Sequence, residues 1–190
     1  MSRKQKREKS PKKEKNVFQR IFLWLFEIII VVLFAYVLVF FFGQTRTNIG
    51  QSMDVTLAGG DKVLLNELIY KIGDPQRNDV VAFKPNGNEG AASSIKRVIG
   101  LPGETIQIKD GMIYINGNVY LEKKDYPAMA DAGIAEESIT LGTDEYFVLG
   151  DNRNNSEDSR YADVGVVDGD TIEGKVWFVI SPKEHLGLVK

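Results

Sequence analysis

Few residue types in this chain of 190 residues could supply a nucleophile or a metal site. The chain contains no cysteine, which excludes disulfides, thiolate nucleophiles and cysteine-ligated metals. The single histidine, His185, excludes multi-histidine metal sites and is the one possible base for a Ser-His-Asp triad. A serine could alternatively take its base from a lysine, provided that burial lowers the lysine pKa far below about 10.4.

The candidate nucleophile is Ser52, within the segment GQSMDVTL at 50–57. A serine after Gly-Gln in a loop is more often a turn or cap residue, so this segment alone does not establish catalysis. Its position is informative, because Ser52 follows the end of a long apolar segment at Phe42 by ten residues. Ser52 therefore lies no more than about 35 Å along the chain from that segment.

The candidate base is Lys96, within the segment SIKRVIG at 94–100. Most other lysines stand in polar contexts, whereas Lys96 has apolar neighbours, and strand-like alternation places it on one face with Ser94 and Val98. Burial on that face would favour the neutral amine. The alternative is an edge-strand lysine that protects the sheet against aggregation.

A third polar segment, GDNRNNSEDSR at 150–160, follows a strand-like run. It does not fit a calcium-binding EF-hand, because Arg153 stands at the third position and the sixth position lacks glycine. The segment could be an ordinary polar loop. Loops of this kind also present Ser, Asp and Arg side chains that orient another group.

The elements that must position these residues begin with an almost wholly apolar segment, residues 21–42. A helix of this length, at about 1.5 Å per residue, spans roughly 33 Å and matches a hydrocarbon core of about 30 Å. The segment exceeds the apolar region of a cleaved signal peptide, no A-x-A site follows it, and a domain of this size does not need so long a core helix. We therefore predict an uncleaved transmembrane anchor. Its one charge, Glu27, lies near the basic end, where a carboxylate costs less than at the bilayer centre.

Charge is distributed asymmetrically about this segment. Residues 1–43 contain nine Lys/Arg and three Asp/Glu, and subtracting these from the totals of 24 and 26 leaves 15 and 23 in 44–190, so the two parts carry +6 and −8. The positive-inside rule then predicts a single-pass protein of the cell membrane, with a basic cytoplasmic tail at 1–20, the anchor at 21–42 and an extracytoplasmic domain at 43–190. An acidic domain would repel nucleic acid, so we expect no nucleic-acid partner.

Short β-like runs dominate the C-terminal domain. Asp110-Gly111 and Asn116-Gly117 are tight-turn signals, which predict a hairpin followed by another reversal over 104–120. Region 121–143 is irregular and is predicted to be an excursion. The predicted fold class is mainly β, with an antiparallel, barrel-like domain. The predicted strands are 61–68, 79–84, 94–99, 105–109, 112–115, 145–149 and 175–180.

Four segments of the chain, taken together, resemble the type I signal peptidases of bacteria (peptidase family S26). These are membrane-bound Ser/Lys proteases that remove signal peptides from exported proteins. The resemblance covers the anchor and essentially all of 44–190. Each segment is weak alone, but four in the family's order behind an uncleaved anchor are specific. They are GQSMDVTL (50–57), RNDVVAF (77–83), KRVIGLPGE (96–104) and GDNRNNSEDSR (150–160).

The resemblance implies a signal-peptidase catalytic domain in which Ser52 is the nucleophile and Lys96 the general base. It implies further that Ser156 hydrogen-bonds to the lysine amine and orients it. Asp158 and Arg160 would hold the active-site loop as an ion pair.

The resemblance also assigns Arg97 to the support of its strand. The implied partners are secretory preproteins with small residues, often alanine, at the first and third positions before the cut, together with the lipid bilayer. It implies no metal and no organic cofactor.

Three positions depart from the family's pattern. Val55 stands where the family usually has proline, so the turn behind the serine loses a fixed φ. Asn78 replaces a usual glycine, and asparagine tolerates a left-handed backbone. Gly50 lacks the hydroxyl that some members place there as an oxyanion donor, which leaves more of that stabilisation to the backbone N–H of Ser52.

Two other functions fit parts of the sequence. A catalytically impaired, membrane-tethered paralogue could act as a binding module, although this leaves the Ser and Lys motifs unexplained. A self-cleaving repressor uses a related Ser/Lys arrangement, but the anchor and the absence of a DNA-binding N-terminal domain oppose it.

Overall fold

The computed structural model describes residues 17–88 and 90–190. Most of the predicted basic tail lies outside the described residues. Two compact units follow one another along the chain, and the boundary between them falls between Leu38 and Val39.

A single long helix, α1, covers Val17–Phe42. It begins four residues before the predicted apolar segment and ends where that segment ends. Its interior contains neither glycine nor proline, and the first glycine, Gly43, follows its last residue, as is common at helix C-termini. The stretch Val17–Val37 is long and apolar enough to cross a membrane, with a mean hydropathy of 2.3.

The second unit is built from β-strands, and its longest connection runs between β7 and β8. A short helix, α2 (Ile69–Ile72), lies between β2 and β3. The strands in the described residues are β1 (Thr45–Thr47), β2 (Lys62–Asn66), β3 (Val80–Phe83), β4 (Ser94–Gly100), β5 (Thr105–Lys109), β6 (Met112–Ile115), β7 (Asn118–Val119), β8 (Ile139–Thr140), β9 (Glu145–Leu149), β10 (Val167–Asp168), β11 (Ile172–Ser181) and β12 (Gly187–Leu188).

These strands form two antiparallel sheets. The larger sheet runs β1-β2-β11-β3-β4-β9-β10, with β12 paired to β11, and it is curled into a half-barrel. The smaller sheet runs β7-β6-β5-β8. The structure confirms the predicted mainly β, antiparallel class with one N-terminal apolar helix.

The seven predicted strands are all present, and three of them, β5, β6 and β9, have the predicted bounds. The hairpin β5–β6 turns at Asp110-Gly111, where φ is 53° and 75°, and the next reversal turns at Asn116-Gly117, where φ is 52° and 78°. Positive φ at two consecutive residues is the geometry that favours Asn-Gly and Asp-Gly. The five strands that the sequence did not predict have two or three residues each, too few for an alternating pattern.

Strand β4 lies in the interior of the larger sheet, between β3 and β9. Its residues after Ser94 are all buried, because apolar clusters cover both faces. Val98 belongs to a cluster with residues of β3 and β9 on one face, whereas Ile95 and Ile99 belong to clusters on the other. A lysine at position 96 is therefore in a central strand and not at an edge.

The histidine lies beside the base of the loop that follows β1. His185 Nδ1 is 2.7 Å from Asp61 Oδ1, and the Asp61 side chain is buried while the His185 ring is largely exposed. The second Asp61 oxygen accepts a hydrogen bond from the Ala58 N–H. The hydrogen bond to Asp61, together with its negative charge, raises the pKa of His185.

We expect this contact to make stability depend on pH. Because the folded pKa of His185 is raised above its unfolded value of about 6.5, the stabilisation is complete below about pH 6.5 and is lost as pH rises through the folded pKa. His185→Ala should therefore lower the melting temperature more at pH 5.5, about one unit below the unfolded pKa, than at pH 9, about two to three units above it. An equal loss at both pH values in thermal melts would contradict this.

Candidate active site

The loop between β1 and β2 presents Ser52. Its ends are held together because the Asn48 side chain donates to the carbonyls of Leu57 and Ala58, at 3.1 and 3.0 Å. Met53 and Leu57 are buried and pack into the core cluster under β2 and β11. The alternation of buried apolar residues with polar ones therefore fixes a loop that leaves Ser52 half-exposed.

Lys96 meets Ser52 from the central strand. The Lys96 Nζ lies 2.9 Å from the Ser52 Oγ, within hydrogen-bond distance, and the lysine is only 5% exposed. Desolvation by burial lowers the pKa of Lys96, and the carboxylates of Asp158 and Glu157 oppose this shift. The structure thus brings together the two residues that the sequence singled out, in surroundings that favour a neutral amine.

The second hydrogen bond of Lys96 differs from the one that the resemblance implied. The expected partner was Ser156, but the Lys96 Nζ donates to Ser94 Oγ at 3.2 Å. Ser156 Oγ is buried and has no hydrogen-bond partner within the described residues. The Ser156 side chain instead occupies the space beside Gly150, where an added Cβ would lie 2.1 Å from Ser156 Oγ.

Asp158 and Arg160 form the ion pair that the resemblance implied. Arg160 Nε lies 2.8 Å from Asp158 Oδ1, and both side chains are almost fully buried. Asp158 also accepts from the Gly150 N–H, and Arg160 donates to the carbonyls of Arg153 and Asp131. The pair therefore closes the 150–160 segment on itself and attaches it to the preceding connection.

Arg97 supports more than its own strand. Its guanidinium binds both carboxylate oxygens of Asp151, at 2.8 and 2.7 Å, and donates to the carbonyl of Asn78. Asp151 is fully buried and also accepts from Thr56 Oγ1 at 2.5 Å. One carboxylate thus connects the 150–160 segment, strand β4 and the loop of Ser52.

Asp151 is a site residue that sequence reasoning did not single out. A signal was present, because Gly150-Asp151 follows the buried strand β9 directly, and an acid at that position requires a buried partner. Its partner, Arg97, is distant in sequence, so the pair could not be found from local spacing. Asn152 makes two further contacts, with its backbone N–H to the Ser52 carbonyl and its side-chain amide to the Gln51 carbonyl.

The three departures from the family pattern all have a left-handed backbone, with φ of 78° at Gly50, 92° at Val55 and 75° at Asn78. Asn78 has the left-handed backbone that asparagine tolerates. Val55 is different, because positive φ is strained for a β-branched residue and is not accessible to proline. The turn behind Ser52 therefore cannot have the backbone that a proline would impose.

An open cleft of about 990 Å³ passes over the Ser52–Lys96 pair. Its lining includes Ile49, Gly50, Ser94 and Ser156 in addition to the pair. Within the described part of the chain, the Ser52 N–H donates no hydrogen bond and remains available to a bound group. The site can therefore hold an extended chain across a serine hydroxyl, with an amine on one side and a free amide donor.

One group of acidic side chains in the described residues is close enough to hold a metal ion. It consists of Asp144, Asp168 and Asp170, which are all exposed. None of the three lines the cleft of Ser52. The group therefore makes no contribution to the chemistry of that cleft.

Similarity to known proteins identifies the family of this chain. Residues 21–181 match the model of the family described as signal peptidase, peptidase S26. Signal peptidase I T of Bacillus subtilis (strain 168) is 35% identical over 190 aligned positions, which cover 96% of this chain and 95% of that protein. Signal peptidase IB of Staphylococcus aureus (strain Mu50) is 36% identical over 179 positions, 83% of this chain and 90% of that protein.

Among solved structures, the crystal structure of a signal peptidase I from Enterococcus faecalis V583 aligns with a TM-score of 0.42 at 34% identity, over 55% of this chain and 97% of that chain. The family match and the curated relatives define the class of this protein as serine endopeptidases, which are hydrolases. The chain belongs to the signal peptidase family, peptidase S26.

Removing the Asp151 carboxylate should destabilise the domain strongly. Asp151→Ala leaves the buried guanidinium of Arg97 without its partner, which typically costs about 3–5 kcal/mol. We expect a correspondingly lower midpoint in urea unfolding of the full chain in detergent. Asp125→Ala, at an exposed position, is the matched control and should change the midpoint little. Equal midpoints for the two variants would show that the buried pair does not stabilise this domain.

Relieving the backbone at position 55 should stabilise the protein. Positive φ at a non-glycine residue costs about 1–3 kcal/mol, and a glycine would remove this strain. The greater freedom of glycine in the unfolded chain offsets about 0.5–1 kcal/mol of the stabilisation. Since the Val55 side chain is 74% exposed, little packing is lost. Val55→Gly should therefore raise the free energy of unfolding by about 1 kcal/mol, and Val55→Pro should lower it. A Val55→Gly protein that is less stable than the parent in urea titration would show that the Val55 backbone does not destabilise the fold.

Proposed function

We propose that this chain removes N-terminal signal peptides from exported preproteins, with Ser52 as the nucleophile and Lys96 as the general base. The observation that carries the proposal is the 2.9 Å contact between the Ser52 hydroxyl and a buried lysine amine. A serine hydroxyl is a weak nucleophile until a base takes its proton, and a lysine can do so only when it is neutral. Burial in the central strand favours the neutral form by lowering the pKa of Lys96.

The reaction begins with the cleavage region of the preprotein lying extended in the cleft. Neutral Lys96 accepts the proton of Ser52 as the oxygen attacks the carbonyl of the last signal-peptide residue. The backbone N–H of Ser52 donates to the developing oxyanion, which matters here because Gly50 supplies no hydroxyl. The lysine then gives its proton to the departing amine.

Water completes the reaction. The same lysine, neutral again, takes a proton from a water molecule that attacks the acyl-enzyme, and Ser52 recovers its hydrogen. Ser156 supports the pair by packing against Gly150 beside it. Asp158, Arg160 and Arg97 support it by holding the 150–160 segment and strand β4 in place.

The membrane arrangement follows from charge. The basic residues before α1 favour a cytoplasmic N-terminus, and the acidic region 43–190 would then lie outside, with α1 as the anchor. Because Ser52 is ten residues from the end of α1, its chain distance from the bilayer is no more than about 35 Å. A substrate tethered to the membrane by its own apolar segment would therefore reach the cleft.

Cleavage should require a lysine at position 96, and the cleavage rate should depend on pH. Ser52→Ala and Lys96→Ala should each lower the cleavage rate at least about 10³-fold while the protein still folds. Lys96→Arg should fail equally, because a guanidinium is not neutral at working pH. In the parent protein the rate should rise as pH rises through the lowered pKa of Lys96.

These variants are tested on the full chain in detergent with a reporter preprotein, and products are resolved by gel and mass spectrometry. Ser138→Ala and Lys109→Ala, both at exposed positions, serve as controls and should cleave at the parent rate. Normal processing by Ser52→Ala or by Lys96→Ala would eliminate Ser52 and Lys96 as the catalytic pair. A folded parent protein that cleaves no preprotein would instead leave the tethered binding module as the remaining interpretation.

A further inference from the structure

The lysine amine in the cleft has two serine neighbours and not one. Besides Ser52 Oγ at 2.9 Å, Ser94 Oγ lies 3.2 Å from Lys96 Nζ. Ser94 is on the same strand, two residues before the lysine, so both side chains point to one face of β4. Pairing with β3 fixes the backbone positions of both residues, because Ser94 lies opposite Phe83 and Lys96 lies opposite Val81.

A general base of this kind needs a third group to direct it. A neutral amine has one lone pair and two N–H bonds, and rotation about the last side-chain bond decides which of these faces the nucleophile. The lone pair must point to the Ser52 hydroxyl for proton transfer. An acceptor that binds one N–H fixes that rotation, and also satisfies a donor that is shielded from water.

Ser94 is the group that meets this need. Its Oγ is within reach of the amine. Ser156 Oγ, in contrast, is buried, has no hydrogen-bond partner in the described part of the chain and lies against Gly150. We infer that Ser94 is the positioning residue for Lys96, in the role that the sequence resemblance gave to Ser156. This inference rests on the proposed Ser52–Lys96 mechanism and adds to it the residue that sets the direction of the base.

Loss of the Ser94 hydroxyl should affect both rate and pH profile. Ser94→Ala should lower kcat/KM about 10- to 100-fold, because the amine is no longer held toward Ser52. It should also move the rising limb of the pH profile to lower pH, because a hydrogen bond to Ser94 favours the charged ammonium and its removal lowers the pKa further. A residue that only stabilises the strand would lower folding stability without moving that limb.

The experiment compares Ser94→Ala, Ser94→Thr, Ser156→Ala and Ser138→Ala. Each is the full chain in detergent, assayed from acid to alkaline pH with an internally quenched peptide that has alanine at the first and third positions before the cut. Thr restores a hydroxyl and suits a strand, so Ser94→Thr should recover most of the rate and the parent pH profile. Ser156→Ala should lose less than Ser94→Ala, and Ser138→Ala should match the parent. Melting temperatures of all four show whether each remains folded.

The outcomes separate this inference from the function on which it rests. If Ser94→Ala keeps the parent rate and pH profile, or if Ser156→Ala alone reproduces the loss and the shift, Ser94 does not position the lysine. If Ser52→Ala in the same assay cleaves as well as the parent, the proposed mechanism itself fails. A folded Ser94→Ala protein with a slow rate, a shifted limb and rescue by threonine would support the assignment.

Discussion

The site depends on a single desolvated amine. A lysine in water is a cation and cannot accept a proton, so the base proposed here exists only if the protein keeps Lys96 out of solvent. The position in the middle of the larger sheet achieves this, since β3 and β9 flank the lysine and apolar clusters cover both faces of its strand. The cost is a polar group in an apolar place, which the hydroxyls of Ser52 and Ser94 reduce by hydrogen bonding.

The same constraint explains the density of buried charge around the cleft. Four charged residues around the cleft are buried and ion-paired. The Arg97–Asp151 pair ties the 150–160 segment to strand β4, and the Asp158–Arg160 pair closes that segment on itself. Buried pairs contribute little net stability compared with apolar packing, but breaking one is costly, so they hold segments in one arrangement. That arrangement fixes the loop of Ser52 through Thr56 and Asn152. Rigidity at the nucleophile thus comes from ionic groups that take no part in the proposed reaction.

The departures from the family pattern affect residues around the reacting pair, and not Ser52 or Lys96 themselves. Asn78 has a left-handed backbone, and its carbonyl still accepts from Arg97 while its side chain accepts from Tyr120. Because Gly50 has no side-chain hydroxyl, backbone N–H groups would have to stabilise the oxyanion. Val55 is strained and exposed, and its neighbour Thr56 nevertheless reaches Asp151. The pattern of substitution is compatible with a functional serine because each change leaves the anchoring contacts in place.

Local sequence patterns were enough to predict the apolar helix, the antiparallel β class, the strands long enough to alternate and the two tight turns. These follow from local patterns: hydropathy over a long window, a period of two, and the positive φ that Asp-Gly and Asn-Gly permit. The resemblance of four segments added Ser52, Lys96 and the Asp158–Arg160 pair. The short edge strands carried too few residues to show a period.

Which polar groups meet depends on the folded arrangement of distant segments. Whether Lys96 lay at an edge or in the interior depended on the order of strands, and Asp151 became the partner of Arg97 through a contact across 54 residues. Ser156 Oγ lies against Gly150, and Ser94 is the second hydroxyl that the Lys96 amine contacts. Hydrogen bonds are short-ranged and directional. The packing of distant segments therefore decides which hydrogen bonds form, and the spacing of residues along the chain does not encode that packing.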